Sequence, residues 1–555
     1  MEENQNKTEA KIKIIQRQAE EKESQALASK LGLPYLNLTP VSVDPSVFDA
    51  VSLEQAKKTA SIILRKFGNS IKIALKNPDN EETKKLIKEL KDKGFALEIY
   101  VVSQSSLKDV WKRFKHAGEE RKKITKEVEI TSEKIGEFQK EISTFKDVRN
   151  KLEAASRMTT TEIIEIILAG AIRIDASDVH FEAEEKQTRL RYRIDGVLQD
   201  IADLSTSIYL SILSRIKIIS ELKLNVHNIP QDGRFSIVLN NQEIEIRTSI
   251  MPGAYGENIV LRILNPNTIG LELEDLGLEE YALEIINREL KKPNGMIVNT
   301  GPTGSGKTTT LYAFVKKINN PEIKVITLEN PIEYHLEGIE QTQINPDKGY
   351  TFALGLRAIL RQDPDIILLG EIRDNETAET AIHAALTGHL VFTTLHTNDA
   401  AGAIPRLVDM RVNPALIPPA LNLVIAQRLV RRVCKNCANE YKPDARLSKE
   451  LNNALKTVPL KIKSKYPKID KKLTILKAGK GCEKCNFSGY KGRIAVMELF
   501  VIDKEMEKVI IKTPSVIDIY ETAIKRGMIT MKQNGILKVL KKITTLEEIE
   551  KVLGV

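Results

Sequence analysis

Residues 295–310 constrain this chain more than any other stretch. They read Gly-Met-Ile-Val-Asn-Thr-Gly-Pro-Thr-Gly-Ser-Gly-Lys-Thr-Thr-Thr and contain G-x-x-x-x-G-K-[ST] from Gly301 to Thr308. Met296, Ile297 and Val298 predict a buried strand, and Leu311, Tyr312, Phe314 and Val315 predict an amphipathic helix after Lys307. A strand, a glycine loop and a helix in that order let backbone N–H groups wrap phosphate oxygens at a helix N-terminus. Gly301, Pro302, Thr303, Gly304, Ser305, Gly306, Lys307, Thr308 and Thr309 are the expected nucleotide-binding residues. Lys307 is expected to reach the β- and γ-phosphates, and the Thr308 hydroxyl to ligate Mg²⁺. The stretch implies binding of a nucleoside triphosphate.

At 555 residues the chain exceeds one hydrophobic core and calls for about three or four domains. No apolar run reaches the length of a membrane span, and the polar, charged stretch 1–23 does not read as a signal peptide. The net charge of +9 suits an anionic partner or a solvated lysine surface equally well. All four cysteines sit in C-x-x-C pairs, which fits a reducing cytoplasm and a bound metal better than a disulfide framework. A cytoplasmic protein is expected, attached to any membrane only through partners.

Residues 1–24 read as disordered or loosely helical, and 25–111 as a small α/β domain suited to docking. Residues 112–157 are rich in Lys, Glu and Arg. Val128, Ile135 and Ile142 fall seven apart there, as do Thr131, Phe138, Phe145 and Leu152. One charged linker helix and a coiled-coil arm or helical hairpin both fit. Residues 158–275 read as a second α/β domain with a helix at 161–174 and short strands. Residues 276–433 alternate strand and helix around the phosphate loop, as in a mostly parallel sheet covered on both faces. Residues 434–500 carry the cysteines, and 501–555 read as helical with breaks at Gly527 and Gly535.

Asp365-Ile-Ile-Leu-Leu-Gly-Glu371 is an apolar strand ending in an acid. A hydrolytic phosphate-loop enzyme needs a carboxylate there to orient or deprotonate the attacking water, so Glu371 is the expected catalytic base. Glu329 and Glu333, after another strand, read either as members of the Mg²⁺–water network or as parts of a turn. His396 follows an apolar strand where a γ-phosphate sensor is needed, although a core or capping histidine fits as well. Cys434, Cys437, Cys482 and Cys485 form two knuckles able to close a tetrahedral Zn²⁺ site. With no fifth cysteine or nearby histidine, that site is expected to be structural. Redox-active or metal-free pairs are the alternative.

Over about 170–555 the chain resembles the PilB/GspE group of secretion-superfamily ATPases, of bacterial type IV pilus assembly and type II secretion. The matching stretches are Ala176–Glu182, Arg191–Gly196, Gln231–Phe235, the loop 301–308, the aspartate-box stretch 326–333, Leu360–Asp374, the histidine box 387–399, Gln427-Arg428-Leu429 and the end from Gly527 through Glu548. Residues 25–111 resemble the group's N-terminal docking domain more weakly. Asn330 stands where the aspartate box usually has aspartate, and Glu329 and Glu333 are retained. Residues 1–30 lack the Arg-Leu-Gly-rich motif by which some relatives bind cyclic-di-GMP, so that ligand is not expected.

The resemblance implies an α/β fold with a RecA-like P-loop core, a preceding PAS-like domain, a small N-terminal docking domain and a zinc-binding C-terminal module. It implies a homohexameric ATPase using ATP, Mg²⁺ and Zn²⁺, with Arg247 and Arg262 completing the site. The motor would act on an inner-membrane platform protein, with a cytoplasmic adaptor, to extend a type IV pilus. A type II secretion pseudopilus is the alternative. A nucleic-acid motor is a more distant one, because the cysteine module lacks aromatics interleaved with a basic stripe. A nucleotide-binding scaffold without turnover conflicts with Lys307, Thr308 and Glu371.

Overall fold

The computed structural model describes residues 17, 19–37, 53–67, 70–92, 95–108, 110–111, 132–153, 158–239, 242–264, 271–512 and 515–554. The chain divides into two compact units, 1–129 and 130–555. In the first unit, Ser70–Leu75 pairs antiparallel with Ser61–Phe67 and parallel with Ala96–Val101. A parallel pair needs a crossover, which the helix Glu81–Asp92 supplies. Leu86 and Leu90 of that helix pack with Ile71, Ile73 and Leu75 of the central strand.

Val128 and Thr131 of the heptad pattern lie outside the described residues. Beyond them stand two short helices, Ser132–Glu141 and Phe145–Leu152, instead of one. Asp147 accounts for the break. Its carboxylate accepts the backbone N–H groups of Ser143 (2.9 Å) and Thr144 (2.8 Å), which starts a new helix. Ile135, Ile142, Val148 and Leu152 are buried with the apolar side of the helix Thr160–Arg173.

That helix and Thr206–Ile219 accompany an antiparallel sheet. Among the described residues its order is Val197–Leu204, Thr188–Ile194, Ala176–Ala183, Gly256–Leu264, Gln242–Gly253, Gln231–Leu239. Strict alternation in Thr188–Ile194 buries Leu190 and Tyr192 and leaves Arg189, Arg191 and Arg193 on the other face. The strand ends in a tight hairpin at Asp195 and Gly196, both at positive φ (50° and 84°).

The phosphate-loop sheet runs, among the described residues, Glu340–Gln343, Val325–Glu329, Ile366–Leu369, Leu390–Leu395, Gly295–Thr300, Leu421–Val433, Tyr490–Val501. All neighbours are parallel except the last pair. Gly295–Thr300, Ile366–Leu369 and Leu390–Leu395 are buried at every position, which explains their continuous apolar runs.

Leu421–Val433 and Tyr490–Val501 are the arms of one long hairpin, and residues 434–489 leave and re-enter between them. The cysteine module is therefore an excursion from the core sheet, and the strand that closes it belongs to that sheet. Gly535 is not a break. It lies inside the helix Met531–Leu540, where a Cβ would stand 2.7 Å from Ile549 Cδ1, so the glycine admits the helix Leu546–Leu553. No helix among the described residues is long and apolar enough to cross a membrane.

Candidate active site

The phosphate loop joins the buried strand Gly295–Thr300 to the helix Lys307–Ile318. Gly306 caps that helix in the left-handed region (φ 86°), and Gly304 precedes it at φ 78°. These values lie in the region that glycine adopts without strain. Lys307 is nearly buried, and its Nζ donates to the carbonyls of Gly301 (2.7 Å) and Pro302 (3.0 Å). Burial pulls its pKa down to about 8. The Arg428 charge adds to this, and the Glu371 carboxylate opposes it. Ser305 Oγ is buried in the loop without a hydrogen-bond partner. A buried amine held only by carbonyls, an orphaned hydroxyl and a cradle of glycines fit a triphosphate. Thr308, exposed at the helix start, is free to face a hydrated cation.

Glu371 follows the strand Ile366–Leu369, and His396 follows its parallel neighbour Leu390–Leu395, so both emerge at the same sheet end. Glu371 Oε2 lies 3.2 Å from His396 Nε2 and 2.8 Å from Arg373 Nε. Thr397, next in the chain, donates its N–H to Thr300 Oγ1 (2.7 Å), which ties the histidine loop to the phosphate-loop strand.

Glu329 is buried and its carboxylate is taken up by protein donors: the Tyr312 hydroxyl, Thr327 Oγ1 (2.6 Å) and Gln341 Nε2 (3.2 Å). Burial, with the Glu329 charge beside it, pushes the Tyr312 phenol up. Glu333 meets Arg247 across the two domains. Arg247 donates to Glu333 Oε2 (2.8 Å), to the Ile332 carbonyl (2.6 Å) and to Glu245 Oε1 (3.0 Å). Arg262 is not brought to this cluster. Its Nε bonds Asp178 Oδ1 (2.9 Å), whose other oxygen takes Arg193 (3.3 Å).

The four cysteines converge. The Sγ atoms of Cys434 and Cys482, of Cys437 and Cys485, and of Cys482 and Cys485 are each 3.8 Å apart, and all four lie within 4.8 Å of one another. Four thiolates about 2.3 Å from a central Zn²⁺ would be separated by about 3.8 Å, whereas a disulfide needs about 2.05 Å. The cluster thus fits a tetrahedral metal. Burial opposes ionisation of Cys485, yet the N–H groups of Cys482 and Gly489, together with the Cys482 and Cys437 side chains, outweigh it and bring the thiol to about 7. The knuckle also reaches the start of the unit. Asn486 Oδ1 accepts the Phe145 N–H (3.3 Å), and Phe487 packs edge-on against Phe145 with Lys146 Nζ 3.9 Å from its ring centre. Beside it, the Gly492 N–H donates to Asp195 (2.8 Å).

Sequence reasoning left Tyr312, Arg373, Gln427 and Arg428 out of the site. Arg373 lay in the matching stretch Leu360–Asp374 and Gln427 and Arg428 in the motif Gln427-Arg428-Leu429, both without a stated role, and Tyr312 was read only as part of the helix after the loop.

Comparison with known proteins adds to this geometry. Residues 153–551 match the family described as type II/IV secretion system protein, and residues 31–121 match the MshEN domain. The chain is 35% identical over 538 residues to the type IV pilus assembly ATPase PilB of Myxococcus xanthus, covering 96% of this chain and 90% of that one. It is 38% identical over 475 residues to the type II secretion system ATPase E of Vibrio cholerae, covering 85% and 89%. Among solved structures, the ATPase DotB of Legionella pneumophila aligns with a TM-score of 0.50 at 21% identity, covering 70% of this chain and 94% of that chain, a likeness of fold alone.

Proposed function

The chain belongs to the type II/IV secretion system protein family and is an ATP hydrolase, and from that premise we propose that it is a hexameric motor for type IV pilus extension. Lys307 and the loop N–H groups hold the triphosphate, and Thr308 holds Mg²⁺, which would neutralise phosphate charge as it develops. Glu371 orients the attacking water and takes its proton, and His396, 3.2 Å away, orients that carboxylate and senses the γ-phosphate. Glu329 and Glu333 support the carboxylate side of the site.

Arg247 couples nucleotide to domain position, because it links the six-stranded domain to the loop carrying Glu333. Arg262 serves as a second cation once that domain moves. Zn²⁺ on Cys434, Cys437, Cys482 and Cys485 closes the structural module. The 158–275 domain acts as the PAS-like partner of a RecA-like core at 276–433, and residues 25–111 dock an adaptor beside an inner-membrane platform protein. The protein works at the cytoplasmic face of the membrane, and no nucleic acid takes part.

The observation that carries this reading is the convergence of Lys307, Glu371 and His396 at one end of a parallel sheet in a chain 35% identical to a pilus assembly ATPase. In cells carrying this gene, Lys307→Ala expressed as a dominant subunit is expected to abolish surface filaments and spare secreted proteins. Lost secretion with intact filaments would instead establish the type II secretion reading, which the likeness to the Vibrio cholerae ATPase keeps alive. In purified protein, Glu371→Gln should bind Mg-ATP normally and hydrolyse it about 10²-fold more slowly. Turnover at the wild-type rate would remove Glu371 as the base.

A further inference from the structure

Both ends of the phosphate loop lean on one residue of the neighbouring strand. A Cβ on Gly301 would lie 2.5 Å from the backbone carbonyl of Gln427, and a Cβ on Gly306 would lie 2.9 Å from Gln427 Nε2. Gln427 is 1% exposed. Its Oε1 accepts from Asn299 Nδ2 (3.0 Å) in the strand before the loop and from Thr310 Oγ1 (2.9 Å) in the helix after it. One carboxamide thus joins strand, loop and helix.

The support behind it is rigid. Thr300 pairs with Ala426 at the end of the phosphate-loop strand, so Gln427 is the first residue to run on beside the loop. There it stays in register with Met497 of the antiparallel arm. Leu429, two residues on and on the same face, would meet a Gly306 Cβ at 3.4 Å and completes the wall.

We propose that Gln427 is a positioning residue for ATP hydrolysis: it fixes the distance between Gly301 and Gly306, and with it the aim of Lys307 and of the loop N–H groups, without touching phosphate. The chemistry favours glutamine. A leucine would leave two buried donors without an acceptor, and a glutamate would keep the acceptor but set a negative charge against the loop that receives phosphate. The inference rests on the reading of 301–308 as the triphosphate site.

The test uses the full chain and, at the clamp, four single variants: Gln427→Leu, Gln427→Glu, Thr310→Val and Thr310→Ser. Each is measured for melting temperature, Mg-ATP affinity, kcat and KM. Gln427→Leu and Thr310→Val are expected to raise KM about tenfold, with a smaller loss in kcat, in chains that still fold cooperatively with a melting temperature lowered by several degrees, more for Gln427→Leu. Thr310→Ser, which keeps the hydroxyl, should stay near wild type. The double variant Gln427→Leu/Thr310→Val should be no worse than Gln427→Leu alone, because both break one clamp.

A KM within about twofold of wild type in folded variants, or additive effects in the double variant, overturns the proposal. If Gln427→Leu does not fold, the Thr310 pair decides by the same criteria, while Gln427→Glu reports the added charge, which should weaken Mg-ATP binding. Lys307→Ala separates the two layers. If it binds Mg-ATP like wild type, the triphosphate reading falls and takes the clamp with it. If it loses binding while the Gln427 and Thr310 variants keep theirs, the clamp alone falls.

Discussion

The phosphate loop and the cysteine cluster are both tight turns leaving the same sheet, yet they are built in opposite ways. The loop's groups lie within a few residues of one another, between a strand buried at every position and the helix Lys307–Ile318. Gln427 bonds the strand before it and the helix after it, and two loop carbonyls hold Lys307, so its polar groups find partners within the protein. The cysteine cluster draws its thiols from two knuckles 48 residues apart, on an excursion whose own sheet has just two short strands, Asn439–Tyr441 and Ile475–Lys477. The excursion sends Leu451, Leu455, Val458 and Ile475 into the main core cluster, but its four sulfurs crowd within 4.8 Å of one another on the knuckles. At the loop the fold makes the site, whereas at the cysteines a bound metal would help make the fold.

Three measurements sharpen or break that contrast. The largest effect belongs to Lys307→Ala, which should lower kcat/KM for ATP by about 10³-fold or more while leaving the melting temperature within a few degrees. Unfolding of that variant would erase the distinction. Next comes the metal. Chelation, or Cys482→Ser, should strip hydrogen-exchange protection from 434–489 and from the helix Phe145–Leu152 that Asn486 caps, and leave residues 295–318 protected. Equal loss in both regions would show that the module supports the core. The smallest effect is a pH dependence.

Lys307 in the nucleotide-free chain sits at about 8, below its unfolded value of 10.5. Between those two values the unfolded chain binds more protons, so this group makes stability rise with pH across that window. A bound triphosphate restores the charge. Mg-ATP binding should therefore take up a proton above pH 8 and weaken as pH climbs, with no uptake near pH 6.5. Calorimetry in buffers of different ionisation enthalpy reads this directly.

How far the sequence reached depended on where each signal lay. The phosphate loop, its strand and its helix were legible because all of it is local and the strand is a continuous apolar run. Leu421–Val433 and Tyr490–Val501 were not legible as core strands, because Gln427, Arg428, Arg431 and Arg493 interrupt the apolar pattern where the hairpin runs beyond the sheet. Thr206–Ile219 passed unread as a helix, its isoleucines suiting strand as well. Gly535 reads as a breaker until the helix packed against it is known. The site divides in the same way. Lys307 and Glu371 announce themselves by local pattern, but the contacts of Gln427 with Asn299 and Thr310, and of Tyr312 with Glu329, appear only once strands and helix are packed together. The contact between Arg247 and Glu333 spans 86 residues and has no local trace.

Two long-range contacts bear on how this protein is made. The helix Phe145–Leu152 receives the Asn486 side chain at its first N–H, across 341 residues of chain, and Asp195 receives the Gly492 N–H across 297. A ribosome adding about 5–20 residues per second delivers the second partner of each contact many seconds after the first. The six-stranded domain therefore emerges and packs its own core while its outer helix still lacks that cap. The last knuckle, once translated, fastens the beginning of the unit to its end, so a chain truncated before residue 486 would keep the domain and lose the clasp.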